Sequence, residues 1–305
     1  MLRIREIAAD ELQRLVDVAK AAMPREEASV SIFVDWRGQA DEMVWMLAED
    51  DGEPAGAGFA LTGWHTPPHR AIGSALVPPD LRGAGTGAAL LEALESWAID
   101  RGATELDGAV TEDDEGSLAW ARKYGYEEVG RNSRLVLDLT AIDAPEPAPP
   151  AGVEIVTWAE HPELVAGMYE VAREATPDIP GEEEGDIGAL EEWVARDMQG
   201  DSDDPRAVFV AVLDGEVVGF AKLSLLRERS DRAFHDLTGV KRAYRGRGIA
   251  AALKRTQIAW AKANGYASLQ TSNEVRNEPI RRLNERYGYE LEPGVVIVRG
   301  VIAID

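Results

Sequence analysis

The sequence predicts an α/β protein built from two similar domains. A glycine-rich loop occurs twice, as Arg82-Gly83-Ala84-Gly85-Thr86-Gly87 and as Arg245-Gly246-Arg247-Gly248-Ile249-Ala250, 163 positions apart in a chain of 305 residues. The same offset, without a gap, relates Tyr124-Gly125-Tyr126-Glu127 to Tyr287-Gly288-Tyr289-Glu290. One offset that holds over about eighty positions indicates duplication of a whole domain. Strand and helix patterns alternate in each copy, in the order β-α-α-β-β-β-α-β-α-β-β.

A proline-rich segment separates the two copies. Residues 142–152 contain four prolines and have no apolar period, which is typical of a semi-rigid extended linker. We therefore expect an N-terminal domain over residues 1–141 and a C-terminal domain over residues 153–305. The length of the chain fits two domains, each large enough to bury a core of its own.

Each copy opens with a short alternating strand and an amphipathic helix, and two strands then form a hairpin. The hairpins turn at Asp51-Gly52 and Asp214-Gly215, because Asp-Gly is the preferred sequence of a two-residue turn. A further strand runs into each glycine loop, and a helix follows directly. Gly102 and Gly265 are placed to cap the ends of these helices.

Composition excludes several classes of function. The chain has no cysteine and four histidines that are not spaced as a metal cluster, so we expect no disulfide and no bound metal. The net charge of -23 disfavours nucleic acid and anionic membranes as partners. No apolar run approaches the ~18 residues of a membrane span, and the start lacks a signal-peptide core. We expect a cytoplasmic monomer or homodimer.

The glycine loop itself indicates a phosphate site. A strand that ends in such a turn and opens a helix points backbone N–H groups and the positive end of the helix dipole at one spot. Neither copy has the Gly-Lys-Ser/Thr of a nucleotide triphosphatase. Each loop also follows three strands, whereas the nicotinamide fingerprint belongs to the first strand–helix unit of a fold.

Both halves resemble the GNAT superfamily of acyl-CoA N-acyltransferases, whose loop reads Arg/Gln-x-x-Gly-x-Gly/Ala. The C-terminal copy adds Thr238-Gly239-Val240 before the loop and Asn277-x-x-Ile280-x-x-Leu283-x-x-x-x-Gly288-Tyr289 after it. The pairing of two such domains is similar to the tandem branch of the superfamily.

The resemblance implies a mixed, mostly antiparallel sheet flanked by helices and splayed between its fourth and fifth strands, with the pantetheine arm of acetyl-CoA in the splay. Val240 would bind that arm through its backbone. The residues carried over as the cofactor site are Thr238, Val240, Arg245, Gly246, Arg247, Gly248, Ile249, Ala250 and Asn277, with Arg82, Gly83, Gly85 and Gly87 in the first copy.

Charge favours the C-terminal copy as the working one, because CoA is a polyanion. The cations around its loop are Lys241, Arg242, Arg245, Arg247, Lys254 and Arg255, and the first copy keeps only Arg82 at the matching positions.

The same copy carries the candidate catalytic groups. An amine attacks a thioester only as its free base, so a proton must be removed. Strict alternation along the strand puts Asp236 on the face of Val240, and we expect Asp236 to be the base or the entry to a proton relay, with His235 as the second candidate. In relatives the leaving thiolate is helped by a tyrosine, and that position is Asn284 here and Ala121 in the first copy.

We therefore expect an N-acetyltransferase that moves acetyl from acetyl-CoA to a small, cationic primary amine in a ternary complex, with the C-terminal domain catalytic and the N-terminal domain degenerate. The acidic stretch 182–186 lies in the region that shapes the acceptor site of relatives. Two alternatives stay open. In the first alternative, both domains bind acetyl-CoA. In the second, the protein is a non-catalytic CoA-binding or protein-interaction module.

Overall fold

A computed structural model describes residues 1–26, 28–63, 66–179, 187–225, 231–274 and 277–302. The chain divides into two compact units. Unit 1 contains residues 1–131 together with the end of the chain from residue 295, and unit 2 contains residues 132–294. None of the helices in these described ranges is long and apolar enough to cross a membrane.

The elements of the first half follow one another in the order that the sequence predicts up to the final strand. They are β1 (Leu2–Glu6), α1 (Leu12–Ala22), α2 (Val30–Gln39), β2 (Ala40–Asp50), β3 (Glu53–Gly63), β4 (Arg70–Leu76), α3 (Thr86–Ile99), β5 (Glu105–Thr111), α4 (Glu115–Lys123) and β6 (Glu127–Asp138).

The second half repeats this order. Its elements are β7 (Val153–Thr157), α5 (Val165–Ala175), α6 (Leu190–Asp197), β8 (Asp203–Leu213), β9 (Glu216–Ser224), β10 (Arg232–Val240), α7 (Ile249–Ala263), β11 (Ser268–Glu274), α8 (Glu278–Arg286) and β12 (Glu290–Val301).

The strands form a mixed, mostly antiparallel twelve-stranded sheet flanked by helices, as predicted. The strand order is β1-β2-β3-β4-β5-β12 in unit 1 and β6-β11-β10-β9-β8-β7 in unit 2. The recorded pairs are antiparallel except β4 with β5 and β10 with β11. Helix α3 packs a core cluster on one face of the first sheet, and α7 does so in the second.

The parallel pair of each sheet separates after a few residues. Pairing of β4 with β5 runs from Arg70↔Glu105 to Ile72↔Asp107, and pairing of β10 with β11 runs from Arg232↔Ser268 to Phe234↔Gln270. The predicted splay between the fourth and fifth strands is therefore present in both units.

The turns and caps also agree with the prediction. Asp51 and Gly52 have φ of 50° and 89°, and Asp214 and Gly215 have φ of 51° and 81°. A two-residue hairpin of type I′ requires positive φ at both central positions, which Asp-Gly tolerates. Gly102 and Gly265 are left-handed after α3 and α7, as expected of helix C-caps.

The end of each copy differs from the expectation of two short strands and from the boundaries 1–141 and 153–305. A single long strand closes each copy, and its second part lies in the other unit's sheet. Residues 295–301 of β12 pair with β5, while residues 132–138 of β6 pair with β11. The two copies carry interchangeable apolar patterns, so periodicity alone cannot show which sheet takes which strand.

Gly300 tests this strand exchange. A Cβ at Gly300 would lie 2.5–2.8 Å from ring atoms of Tyr126, so we expect Gly300→Ala to destabilise unit 1 by about 1–3 kcal/mol through overpacking. Gly130→Ala is the matched control, because its Cβ would meet only Ile297 at 3.9 Å. Hydrogen exchange should accelerate in β5 for the first variant alone. Acceleration confined to β11 would contradict the exchange.

Candidate active site

The two glycine loops have nearly the same backbone. Gly83 and Gly85 have φ of 90° and 89°, and Gly246 and Gly248 have φ of 73° and 87°. Gly85 is the N-cap residue of α3 and Gly248 that of α7. Because L side chains rarely adopt such φ values, the glycines fix a turn that presents helix N–H groups outward.

The loop arginines brace the turn. Arg82 Nε donates to Val77 O at 3.2 Å, and Arg245 Nε donates to Val240 O at 2.9 Å. Each guanidinium therefore ties the loop back to the end of the preceding strand. The arginine of the motif has a structural role in both copies.

Val240 has the orientation that its expected role requires. The next residue, Lys241, donates its N–H to Val218 O of β9. Successive backbone groups of a strand point in opposite directions, so the N–H of Val240 points away from β9 toward the splay. Thr238 lies on the same strand as Val240, β10, and pairs with Ala221 of β9.

Unit 1 contains an open cleft at its loop. The cleft has a volume of about 460 Å³ and runs from the loop into the splay between β4 and β5. A Cβ at Gly83 or Gly85 would meet no atom within 4 Å, so the backbone of the loop borders free space. Gly87 has another role, since its Cβ would lie 3.4 Å from the ring of Trp120.

The interior walls of this cleft are apolar, whereas the positions 163 residues later are polar. The unit 1 residues are Gly73, Leu91, Leu94, Gly108 and Ala121, and their unit 2 counterparts are Asp236, Lys254, Gln257, Thr271 and Asn284. Of the unit 2 set, all but Asp236 are buried. The two copies therefore keep the loop and differ in what lies behind it.

The cations around the unit 2 loop are already engaged. Arg242 and Arg245 both pair with Asp178, at 2.6 Å and 2.7 Å, and these guanidinium groups lower the pKa of Asp178 to about 2. Lys241 pairs with Glu216 at 2.8 Å. The guanidinium of Arg247 lies 5.1 Å from the ring centre of Tyr244. Counting charges in the sequence therefore overstates what this loop offers to a phosphate.

The linker lies against the same loop. Arg255 donates to Pro147 O and Ala148 O, each at 2.8 Å, and Pro150 Cγ lies 3.8 Å from the position that a Cβ of Gly248 would take. The predicted linker is thus fixed along α7 and reaches the N-cap of that helix. The space beside Gly248 is narrower than that beside Gly85.

Asp236 does not have the surroundings of a free base. A bulge between His235 and Thr238 breaks the alternation of β10, so the face predicted for Asp236 is not the face it takes. Its carboxylate binds Lys222 Nζ at 2.7 Å and accepts from Ser224 Oγ at 3.1 Å. Lys222 also binds Asp203 at 2.8 Å, and both carboxylates raise its pKa.

His235 is buried in a hydrogen-bond chain. Its Nδ1 lies 3.0 Å from Gln257 Oε1, and its Nε2 contacts the hydroxyl of Tyr289. Gln257 Nε2 donates to Lys222 O, so its oxygen must accept from His235 Nδ1–H. Burial and the charge of Lys254 hold the pKa of His235 well below its usual value. The ring is neutral and both of its nitrogens are used.

The asparagines of unit 2 differ in their hydrogen bonds. Asn284 is fully buried, and its Nδ2 donates to Asn273 Oδ1 at 2.8 Å. Its Oδ1 has no hydrogen-bond partner within the described part of the chain. Asn277 is the N-cap residue of α8 without a side-chain cap bond.

The remaining predicted residues lie where packing places them. Ile249 is buried and Ala250 packs against the same core cluster as Trp260. Trp97 is buried in the core of unit 1. The acidic stretch 182–186 lies outside the described residues. The described residues contain no group of three or more His, Asp or Glu side chains that could hold a metal.

The apolar residues that line the unit 1 cleft are candidate site residues that the sequence analysis did not identify. A signal was available, since Leu94 and Ala121 face Gln257 and Asn284 in the alignment of the two copies. The buried positions distinguish an apolar interior in the first copy from a polar interior in the second. The charges near the loop distinguish only the surroundings of the two loops.

The sequence comparison gives one family. The profile of the Acetyltransferase (GNAT) family matches residues 3–126 and again residues 165–289. No curated protein sequence matches the chain.

Solved structures share the whole fold. A GCN5-related N-acetyltransferase from Sphaerobacter thermophilus is 23% identical with a TM-score of 0.78, over 99% of this chain and 96% of that one. A tandem GNAT protein from the clavulanic acid biosynthesis pathway is 21% identical with a TM-score of 0.80, over 100% of both chains. A glucosamine N-acetyltransferase region of a fungal β-N-acetylglucosaminidase is 15% identical with a TM-score of 0.74, over 98% of this chain and 38% of that one.

Lys254 gives the polar interior of unit 2 a measurable pH dependence. Burial lowers its pKa from the usual 10.5 to about 7. Between these values the unfolded chain binds a proton that the folded chain does not, so the free energy of unfolding rises with pH by up to about 1.4 kcal/mol per unit. We expect Lys254→Met to remove this slope and to stabilise the protein at pH 7.

Denaturant unfolding at pH 7, 8.5 and 10 measures the effect, with Lys20→Met on an exposed face of α1 as the control. If the slope of the Lys254→Met protein equalled that of the control, Lys254 would carry its proton in the folded state.

Proposed function

Because the chain belongs to the GNAT family of acetyltransferases, we propose that it transfers an acyl group from acyl-CoA to the amine of a small acceptor, with the donor bound in unit 1. Enzymes of this family use acetyl-CoA as the acyl donor. The cleft at the unit 1 loop is the observation that carries the proposal. Our proposal differs from the expectation from the charge pattern of the sequence, which favours the C-terminal copy as the donor site.

The residues of unit 1 fit the donor. Gly83 and Gly85 leave room for a pyrophosphate beside the loop, where a side chain would otherwise stand. The N-terminus of the 14-residue helix α3 supplies unpaired N–H groups and a favourable dipole. Beyond Ile72 the edge of β4 has left β5, so its backbone groups are available to the amides of the pantetheine arm.

Bound acyl-CoA supplies an activated thioester carbonyl. The protein contributes orientation and exclusion of water, because Leu91, Leu94 and Leu106 line the interior of the cleft. Holding two reactants in one geometry lowers the barrier by several kcal/mol, of the order of 7–11 in well-oriented cases.

The proton of the attacking amine must leave by another route than a dedicated carboxylate. Among the described residues that line the cleft, Asp114 is the single carboxylate. It binds Arg82 Nη2 at 3.0 Å and caps α4 by accepting from Ser117 N at 2.9 Å. These bonds keep its pKa below the usual value, although burial opposes them. We expect the ammonium of the acceptor to lose its proton to solvent water, which leaves the free amine to attack the thioester carbonyl. The CoA thiolate then departs without a general acid, because the pKa of a thiol is low.

The acceptor that we propose is a small cationic primary amine. The net charge of -23 attracts cations over the whole surface and raises their encounter rate. A panel of polyamines, aminoglycosides and neutral or anionic amines tests this preference, and faster transfer to the anionic amines would contradict it.

Paired glycine variants locate the donor. We expect Gly85→Asp to abolish CoA binding, because a carboxylate would stand where the pyrophosphate must approach. Gly248→Asp has the same backbone geometry, with φ of 87° against 89°, and we expect it to bind CoA like the wild type. Isothermal titration should give one CoA per chain. A stoichiometry of two would show that both copies bind, and loss of binding in the Gly248 variant would place the donor in unit 2.

Asp236→Asn separates the two assignments of the chemistry. With the donor in unit 1, we expect transfer to fall less than three-fold, since Asp236 serves to pair Lys222. The variant should lose thermal stability, because the buried ammonium of Lys222 loses the carboxylate of Asp236 and keeps that of Asp203. A loss of turnover of about 100-fold with unchanged stability would identify Asp236 as the general base after all.

A further inference from the structure

We propose that the unit 1 cleft is shaped for an aliphatic acyl group longer than acetyl. The inference rests on the proposed donor site in unit 1 and adds the class of acyl group. It is carried by the end of the cleft farthest from the loop, where an acyl group lies when the pyrophosphate is at Gly85.

This end of the cleft is apolar. Leu94, Leu106, Val298 and Tyr126 line the cleft where it meets the buried core of unit 1, to which all four belong. The hydroxyl of Tyr126 donates to Glu95 Oε1 at 2.9 Å, so its polar atom is satisfied elsewhere and its ring serves as a wall. A surface of this kind binds methylene groups and has few partners for a polar acyl chain.

Ala121 enlarges the same end. It occupies the position at which the resemblance implies a tyrosine, and it lines the cleft. Replacing a phenol side chain with a methyl group leaves room for additional carbon atoms. Gly108 of strand β5 also lines the cleft and has no side chain.

The apolar wall is not required by the fold. Unit 2 has the same fold with Gln257 in place of Leu94 and Asn284 in place of Ala121, and both are fully buried there. Thr271 in the same way replaces Gly108. The architecture therefore tolerates polar and larger side chains at these positions, and we attribute the small and apolar residues of unit 1 to the acyl group that the cleft binds.

Burial of a methylene contributes about 0.8 kcal/mol, which corresponds to about a four-fold gain in affinity. Butyryl-CoA has two methylenes more than acetyl-CoA. We therefore expect it to bind about fifteen-fold more tightly, with a further gain for hexanoyl-CoA until the end of the cleft is reached.

Equilibrium titration of CoA, acetyl-CoA, butyryl-CoA and hexanoyl-CoA without any amine measures this series directly. Transfer to a mixed amine pool is the second measurement, followed by a thiol reagent that detects released CoA. The chain has no cysteine, so the protein adds no background to this assay.

Ala121→Leu should fill the end of the cleft. We expect it to remove the advantage of butyryl-CoA over acetyl-CoA while the affinity for CoA itself stays unchanged. Ala263→Leu is the matched control, since the same substitution at the exposed end of α7 leaves the cleft as it is. The wild-type series is independent of whether Ala121→Leu folds.

The outcomes separate this inference from the proposed function. If acetyl-CoA bound as tightly as the longer thioesters, the inference would be overturned while donor binding in unit 1 stood. Absence of binding by every thioester would overturn both. A butyryl preference that persisted in Ala121→Leu would overturn the assignment of this end of the cleft to the acyl chain.

Discussion

The separation of the parallel strand pair is the constraint on which both units depend. After three recorded residue pairs, β4 leaves β5 and β10 leaves β11, so each unit has strand edges without a neighbouring strand. Buried backbone N–H and C=O groups must find partners, and an interior gap must be filled or solvated. The two copies meet this requirement differently. Unit 1 keeps an apolar cleft that opens at its loop, and unit 2 fills the corresponding interior with buried polar side chains.

The polar interior of unit 2 is connected, and this explains why its residues resemble catalytic groups in the sequence. The carboxylate of Asp236 pairs with the ammonium of Lys222, and Gln257 Nε2 donates to the backbone carbonyl of Lys222. Gln257 Oε1 in turn accepts a hydrogen bond from His235 Nδ1. Each bond satisfies a group that would be costly to bury alone, at about 1–3 kcal/mol. An Asp next to a His on a strand beside a phosphate loop is also the pattern of a proton relay. A structural network and a proton relay are distinguished only by the hydrogen-bond partners of these side chains, which lie on other strands and helices.

Local chemistry determined which features could be predicted from the sequence. The glycine loops, the Asp-Gly hairpins and the helix caps depend on φ values that only a few residues adopt, and they lie where predicted. The features that could not be predicted depend on distant partners. The bulge near Asp236, the pairing of Arg245 with Asp178 and the sheet that takes residues 295–301 are set by packing between segments far apart in the chain.

The charge near a phosphate loop and the access of a ligand to that loop are separate properties. In our proposal, access to the loop is what distinguishes the donor site of unit 1 from the loop of unit 2. A phosphate gains from a cation only when the cation is free to turn toward it, and Arg242, Arg245 and Arg255 are held by a carboxylate or by linker carbonyls. Backbone N–H groups at a helix N-terminus remain directed outward whatever the side chains do. In the donor site that we propose in unit 1, these N–H groups border an open cleft, so a pyrophosphate can approach them without displacing the linker that lies beside Gly248 in unit 2.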